Sequence, residues 1–176
     1  MIDRFLSYLR YEKNRSAATI QRYERSLRDF EQYFKQVSTE LDWATVDADI
    51  IRRWMEHVMD SGMTASTVNT HLAAVRSLYR FALARNMVDK DPAHTVKGPK
   101  KQKVLPQFMK EADMDQLIDK EPWSEEYKDV RARTIIILLY ETGMRRGELT
   151  GLDDKDVDFE ARQLKDKGKR NKKRII

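Results

Sequence analysis

Along the first 95 residues, apolar side chains recur three and four positions apart, the spacing of one helix face. Ile2, Phe5, Leu6 and Leu9 form a first run that stops near Asn14. A second follows Ser16, a residue suited to an N-cap, and takes in Ile20, Tyr23, Leu27, Phe30 and Phe34, with a polar, largely basic face opposite. A third helix is expected from Thr45 to Asp60, with Ile50, Ile51, Trp54, Met55 and Val58 inward and Gly62 as its stop. The fourth begins at Thr64-Ala65-Ser66-Thr67 and buries Val68, Leu72, Val75, Tyr79 and Ala82, which leaves Asn69, Thr70, Arg76 and Arg80 toward the other side.

Pro92, Gly98, Pro99 and Pro106 then break the pattern, so residues 96–106 are expected to link a first domain, 1–95, to a second, 107–176. In the second, Glu111 to Asp119 predicts a short amphipathic helix, and Val130 to Tyr140 a more apolar one ending at Thr142-Gly143. From Gln163 a strand is expected to run toward a tight basic turn around Gly168. The apolar end Arg174-Ile175-Ile176 is expected to lack a partner strand, which is unusual for a complete domain. Tyr23, Tyr79 and Tyr140, together with Trp43, Trp54 and Trp123, are expected to fill cores.

Composition narrows the function classes. Hydrophobic residues make up 40% of the 176, enough for a core, and no apolar run approaches the roughly 18 residues of a membrane span. The N-terminus lacks a signal peptide's apolar block, so a soluble cytoplasmic chain is expected. With no cysteine, and with His57, His71 and His94 lacking ligand spacing, no metal site is expected. The net charge of +5 is unevenly placed: +1 over residues 1–95, +4 over 96–103, −6 over 104–164 and +6 over the last twelve. Two short segments therefore carry the cationic surplus and can meet a polyanion locally.

Two places hold candidate chemistry. In Thr142-Gly143-Met144-Arg145-Arg146-Gly147-Glu148-Leu149 a glycine ends one helix and a guanidinium stands at the start of the next, where it either grips a phosphate or pairs with nearby acids in solvent. Residues 167–174, KGKRNKKR, are either a disordered basic end or a set of cations displayed on a glycine turn.

TGMRRGEL, the GLDDKDVDF segment after it and then GKRNKKR resemble the start of the catalytic domain of tyrosine recombinases, the phage-integrase and Xer family of site-specific DNA recombinases. RSAATIQRYERSLRDFEQYF and TASTVNTHLAAVRSLYRFALARN, followed by DPA, resemble the family's core-binding domain. The resemblance implies a mainly α chain: a four-helix, SAM-like core-binding domain, then the first, mostly helical part of an α+β catalytic domain. It implies that Arg145 is the first catalytic arginine, contacting the scissile phosphate, that Glu148 supports it, and that Lys169 protonates the leaving 5′-oxygen, with Arg170 and Lys172 as competing assignments. No cofactor is implied, because a phosphotyrosine link conserves the bond energy.

The family's histidine-arginine motif and tyrosine nucleophile follow this hairpin, whereas all seven tyrosines here precede Arg145. A DNA-binding fragment or truncated product, inactive alone, is the expectation; a non-catalytic accessory or competitor protein is the alternative. The partner implied is a double-stranded recombination site, with other protomers in a tetrameric synapse for a full-length protein and a monomer for this chain. Thr19, Arg22 and Ser26 on the second helix and Ser66, Asn69, Thr70 and Arg76 on the fourth are expected to face the duplex, or else to be an ordinary solvated surface. Lys97, Lys100, Lys101 and Lys103 are expected to bind phosphates, and the start at the core-binding helices resembles the simpler Xer-like or invertase type.

Overall fold

The structure, a computed structural model, describes residues 1–102, 105, 107–168 and 172–175, with 166–168 and 172–174 as backbone only. It divides into two compact units, Met1–Val104 and Leu105–Ile176.

In the first unit, α1 spans Ile2–Ser7 and widens into a π turn over Tyr8–Glu12, after which Asn14 takes φ 45° and turns the chain. Helix α2, Ala17–Val37, starts at Ser16, whose hydroxyl accepts the Thr19 N–H. Helix α3 spans Ala48–Asp60, three residues shorter at its start than expected. The difference is local chemistry: the Asp42 carboxylate accepts the Ala44 and Thr45 N–H groups in a turn of its own, and Asp47 caps the helix by accepting from Asp49 and Ile50. Gly62, at φ 87°, follows its end. Helix α4 spans Ala65–Ala84, with the Thr64 hydroxyl accepting from the Thr67 N–H.

These helices enclose an aromatic core. The Phe30 ring lies 4.6 Å from Trp54, 5.6 Å from Trp43 and 5.3 Å from Phe34 by centroids, the last two edge to face. Both indole N–H groups are paired: Trp54 Nε1 donates to Asp29 and Trp43 Nε1 to Glu31, each at 2.9 Å. The Tyr79 hydroxyl donates to the Trp43 carbonyl at 3.1 Å, and burial raises its pKa well above the ordinary tyrosine value. Beyond α4, Val88, Ala93 and Val96 are buried in the same core, so the chain stays against the first unit past residue 95.

The second unit begins with α5, Glu111–Asp115, and a π turn over Gln116–Lys120 whose Leu117 carbonyl accepts the Trp123 indole at 2.9 Å. Helix α6 spans Tyr127–Thr142 and ends at Gly143 in the left-handed conformation, φ 60°. Helix α7 is the single turn Arg146–Leu149. Strands β1, Val157–Asp158, β2, Gln163–Gly168, and β3, Lys172–Ile175, form an antiparallel sheet in that order. Two expectations are corrected. Arg174 and Ile175 do have a partner strand, pairing with Asp166 and Lys165 of β2. Tyr140 is 45% exposed rather than core. Five consecutive apolar residues, 135–139, surround α6 with hydrophobic surface, and packing against part of it leaves the rest half covered.

Two phenylalanines should contrast sharply, one inside this core and one outside it. Phe30→Ala should destabilise the first unit by about 3–5 kcal/mol in urea unfolding, whereas Phe159→Ala, at a residue 87% exposed, should shift stability by no more than about 0.5 kcal/mol.

Candidate nucleic-acid interface and active site

In the second unit the loop from α6 to α7 sets one arginine apart. Thr142 Oγ1 donates back to the Leu138 carbonyl and accepts the Met144 N–H at 3.2 Å, and the buried Met144 side chain anchors the loop. Arg145 is then extended at the N-cap of α7. Its N–H donates to Glu148 Oε2 at 2.7 Å and its Nη1 to Oε1 at 2.8 Å. The Glu148 side chain is 8% exposed and that of Arg145 is 73% exposed. A near-buried carboxylate thus holds both the backbone and one corner of the guanidinium, while the rest of that planar donor fork faces solvent.

The hairpin contributes less that is described. Lys169 and Arg170 lie outside the described residues, and of Lys172 only the backbone, opposite Gly168, is described. The register sets Lys167 opposite Lys173.

In the first unit, a groove of about 480 Å³ runs between the first halves of α2 and α4. Arg22, expected to face a duplex, lines it, and so does Thr70, whose hydroxyl donates to the Ser66 carbonyl at 3.0 Å. Ser66 itself is exposed, and Thr19 is half-buried with its hydroxyl 2.9 Å from that of Ser16. Ser26 lines the same groove but is itself only 2% exposed, with Oγ donating to the Arg22 carbonyl at 3.0 Å. Asn69 and Arg76 are turned to protein carbonyls, Asn69 to Ala65 and Pro99, Arg76 to Ala93 and Val96. Lys97, Lys100 and Lys101 are exposed, and Lys103 lies outside the described residues.

The groove also recruits Gln21, Arg25, Thr67 and His71, which the sequence reading passed over. Their signal was present as three- and four-residue steps, 18, 21, 22, 25 on α2 and 67, 70, 71 on α4, but only the packing of the two helices puts both series on one groove. His71 sits over Trp54, ring centroids 5.8 Å apart, and its Nδ1 is buried without a hydrogen-bond partner among the described residues. Burial lowers its pKa, and the Asp29 carboxylate offsets part of that. Among the described residues no group of His, Asp and Glu is arranged to hold a metal ion, and no helix is long and apolar enough to cross a membrane.

Residues 2–86 match the family described as phage integrase, N-terminal SAM-like domain, and residues 107–176 match the phage integrase family. The chain belongs to the tyrosine recombinase family. Among its relatives, the tyrosine recombinase XerC of Pelotomaculum thermopropionicum is 34% identical over 179 residues, covering 99% of this chain and 58% of the relative. XerC of Vibrio cholerae is 33% identical over 175 residues, covering 99% of the chain and 55% of the relative. The chain therefore spans just over half the length of these recombinases. In fold it is similar to a lambda integrase dimer bound to a core site, TM-score 0.72 at 16% identity over 99% of this chain and 60% of that one. It is likewise similar to the Tn1549 transposon integrase in complex with transposon right end DNA, TM-score 0.70 at 20% identity over 93% of this chain and 51% of that one.

His71 makes the stability of this recombinase-family chain depend on pH. Its folded pKa lies below the ordinary 6.5, so folding favours the neutral ring. That contribution is complete above the ordinary value and is lost as pH falls through the folded one. Urea unfolding between pH 7.5 and 5 should show wild type losing more stability than His71→Asn; parallel losses would show that His71 does not cause the dependence.

Proposed function

We propose that this chain is the duplex-binding and phosphate-gripping part of a site-specific DNA recombinase that breaks and rejoins strands through a phosphotyrosine. Arg145 carries the reading: its guanidinium is held at one corner by nearly buried Glu148 and is exposed over the rest. Transfer at the scissile phosphate passes through five-coordinate phosphorus with added negative charge on the non-bridging oxygens. A donor fork fixed beforehand stabilises that charge without reorganising during the step.

In the reaction a tyrosine hydroxyl loses its proton as its oxygen attacks phosphorus, the bond to the 5′-oxygen breaks, and that oxygen takes up a proton in turn. Lys169 is the proposed donor, with Arg170 and Lys172 as the competing groups. One phosphoester replaces another, so the bond energy is kept and no nucleotide cofactor enters. Seven tyrosines are present and all precede Arg145, so these 176 residues by themselves bind a site without cleaving it.

The first unit holds the duplex. Arg22 and Arg25 offer charge to phosphates from the groove, Thr19, Ser66 and Thr70 add hydroxyls beside it, and Lys97, Lys100, Lys101 and Lys103 continue the cationic path. The DNA named in the lambda and Tn1549 integrase complexes supports a recombination site as the partner. In a full-length protein the active assembly is a tetramer on two sites, whereas this chain alone is a monomer.

Two measurements test the proposal. Arg22→Ala and Arg25→Ala should each weaken binding to a duplex recombination site and lower the slope of log affinity against log salt by about 1; unchanged slopes would remove the groove from the interface. Incubation with a nicked site should leave no detergent-resistant protein–DNA adduct, and the appearance of one would overturn the assignment of a missing nucleophile.

A further inference from the structure

We infer that Asn69 and Arg76 are positioning residues: they strap residues 93–99 onto α4 and so set where the basic run that starts at Lys97 leaves the first unit. The inference rests on the duplex binding proposed above.

Three carbonyls spaced three residues apart, those of Ala93, Val96 and Pro99, each accept a side-chain N–H from α4. Arg76 Nε reaches Ala93 at 3.3 Å, Arg76 Nη2 reaches Val96, and Asn69 Nδ2 reaches Pro99 at 2.8 Å. Asn69 and Arg76 stand seven residues apart, two turns, on one face of the helix, so the segment is bound at both ends of that face. Apolar burial works with the hydrogen bonds, since Ala93 is 0% and Val96 1% exposed. The approach at the far end is close: a Cβ on Gly98 would stand 2.0 Å from Asn69 Oδ1, so a larger residue there must push the amide aside. Residues 93–99 belong to no helix or strand, yet the carbonyls of Ala93, Val96 and Pro99 are paired and the segment is docked.

The same bonds decide against direct adenine reading by Asn69 and reduce the donors that Arg76 has to offer a base. An asparagine that recognises adenine needs an amide hydrogen for the base. The Asn69 Nδ2 group serves Ala65 at 2.6 Å and Pro99 at 2.8 Å, which uses both hydrogens. Arg76 commits Nε and Nη2, one edge of its fork, to the strap. What the strap presents is Lys97, exposed between buried Val96 and half-buried Gly98, with Lys100 and Lys101 directly after the last anchor, Pro99. These cations are mounted on the helix that also lines the groove with Thr67, Thr70 and His71. The conformational freedom of the segment is lost on folding, so binding DNA does not have to remove it again.

The test uses the 176-residue chain and three variants, Asn69→Asp, Arg76→Met and Gly98→Ala, the last displacing the Asn69 amide from the opposite side. Without DNA, limited trypsin digestion should cut the Lys97–Gly98 bond about tenfold faster in each variant that folds, while cleavage after Lys120 in the second unit stays at the wild-type rate. An unchanged rate at Lys97 overturns the strap. With a duplex recombination site, Asn69→Asp should weaken binding several-fold and flatten its salt dependence. In a background of Lys97→Gln, Lys100→Gln and Lys101→Gln that loss should disappear, because the residue acts through the lysines. Equal losses in both backgrounds would mean that Asn69 meets DNA itself and would overturn the inference. A wild-type chain that binds no duplex would sink the proposed function instead, and the digestion would still decide whether the strap exists.

Discussion

A tryptophan can be buried only where its indole N–H finds an acceptor, and the first unit must meet that condition twice within a few ångströms. It does so with two carboxylates flanking Phe30 on α2: Asp29 accepts from Trp54 of α3, and Glu31 accepts from Trp43 in the loop before it. Phe30, between them in sequence, packs against both indole rings. Leaving either N–H unpaired costs about 1–3 kcal/mol, comparable to what burying one large side chain contributes. The two bonds therefore limit how α3 and its preceding loop can lie on α2, and the Tyr79 hydroxyl on the Trp43 carbonyl extends the limit to α4.

The groove follows from that arrangement. With α2 and α4 both tied to Trp43, their first halves run side by side, and Arg22 and Arg25 come to one wall while Thr67, Thr70 and His71 come to the other. Helix α4 divides its surface three ways: Leu72, Val75 and Tyr79 into the core, Thr67 and Thr70 into the groove, Asn69 and Arg76 onto the strap. The last pair shows why a polar residue on a helix surface is an ambiguous sign of function. The side chain that would suit a base edge suits a backbone carbonyl equally well, and the nearer partner takes it.

The second unit holds Arg145 with fewer contacts. Among its described residues Met114 and Met144 are the buried hydrophobic side chains, and Met144 is the residue directly before Arg145. A buried methionine, a nearly buried glutamate and the Thr142 hydroxyl together hold the loop that carries the exposed guanidinium. That economy suits a group whose charged end must stay accessible while its backbone is held still.

Much of the helical plan was legible in the chain, because period and capping residues are local: Ser16 and Thr64 begin α2 and α4, Gly62 and Gly143 follow the ends of α3 and α6, and Val68, Leu72, Val75, Tyr79 and Ala82 are buried as their spacing requires. The TGMRRGEL segment likewise placed Arg145 and Glu148 within one turn, near enough to pair. Start of α3 excepted, those features needed only neighbours in sequence. Tertiary contact decided the rest. Ser26 is buried because α4 lies over it, Tyr140 is exposed because α6 is apolar on more sides than its neighbours cover, and Arg25 and His71 face one another's groove because two indoles dictate how their helices meet. Asn69 and Arg76 are bonded to protein carbonyls for the same reason. A hydrogen-bonding side chain is assigned by whichever acceptor folding brings within about 3 Å, and for these two it was a backbone some twenty to thirty residues further along the chain.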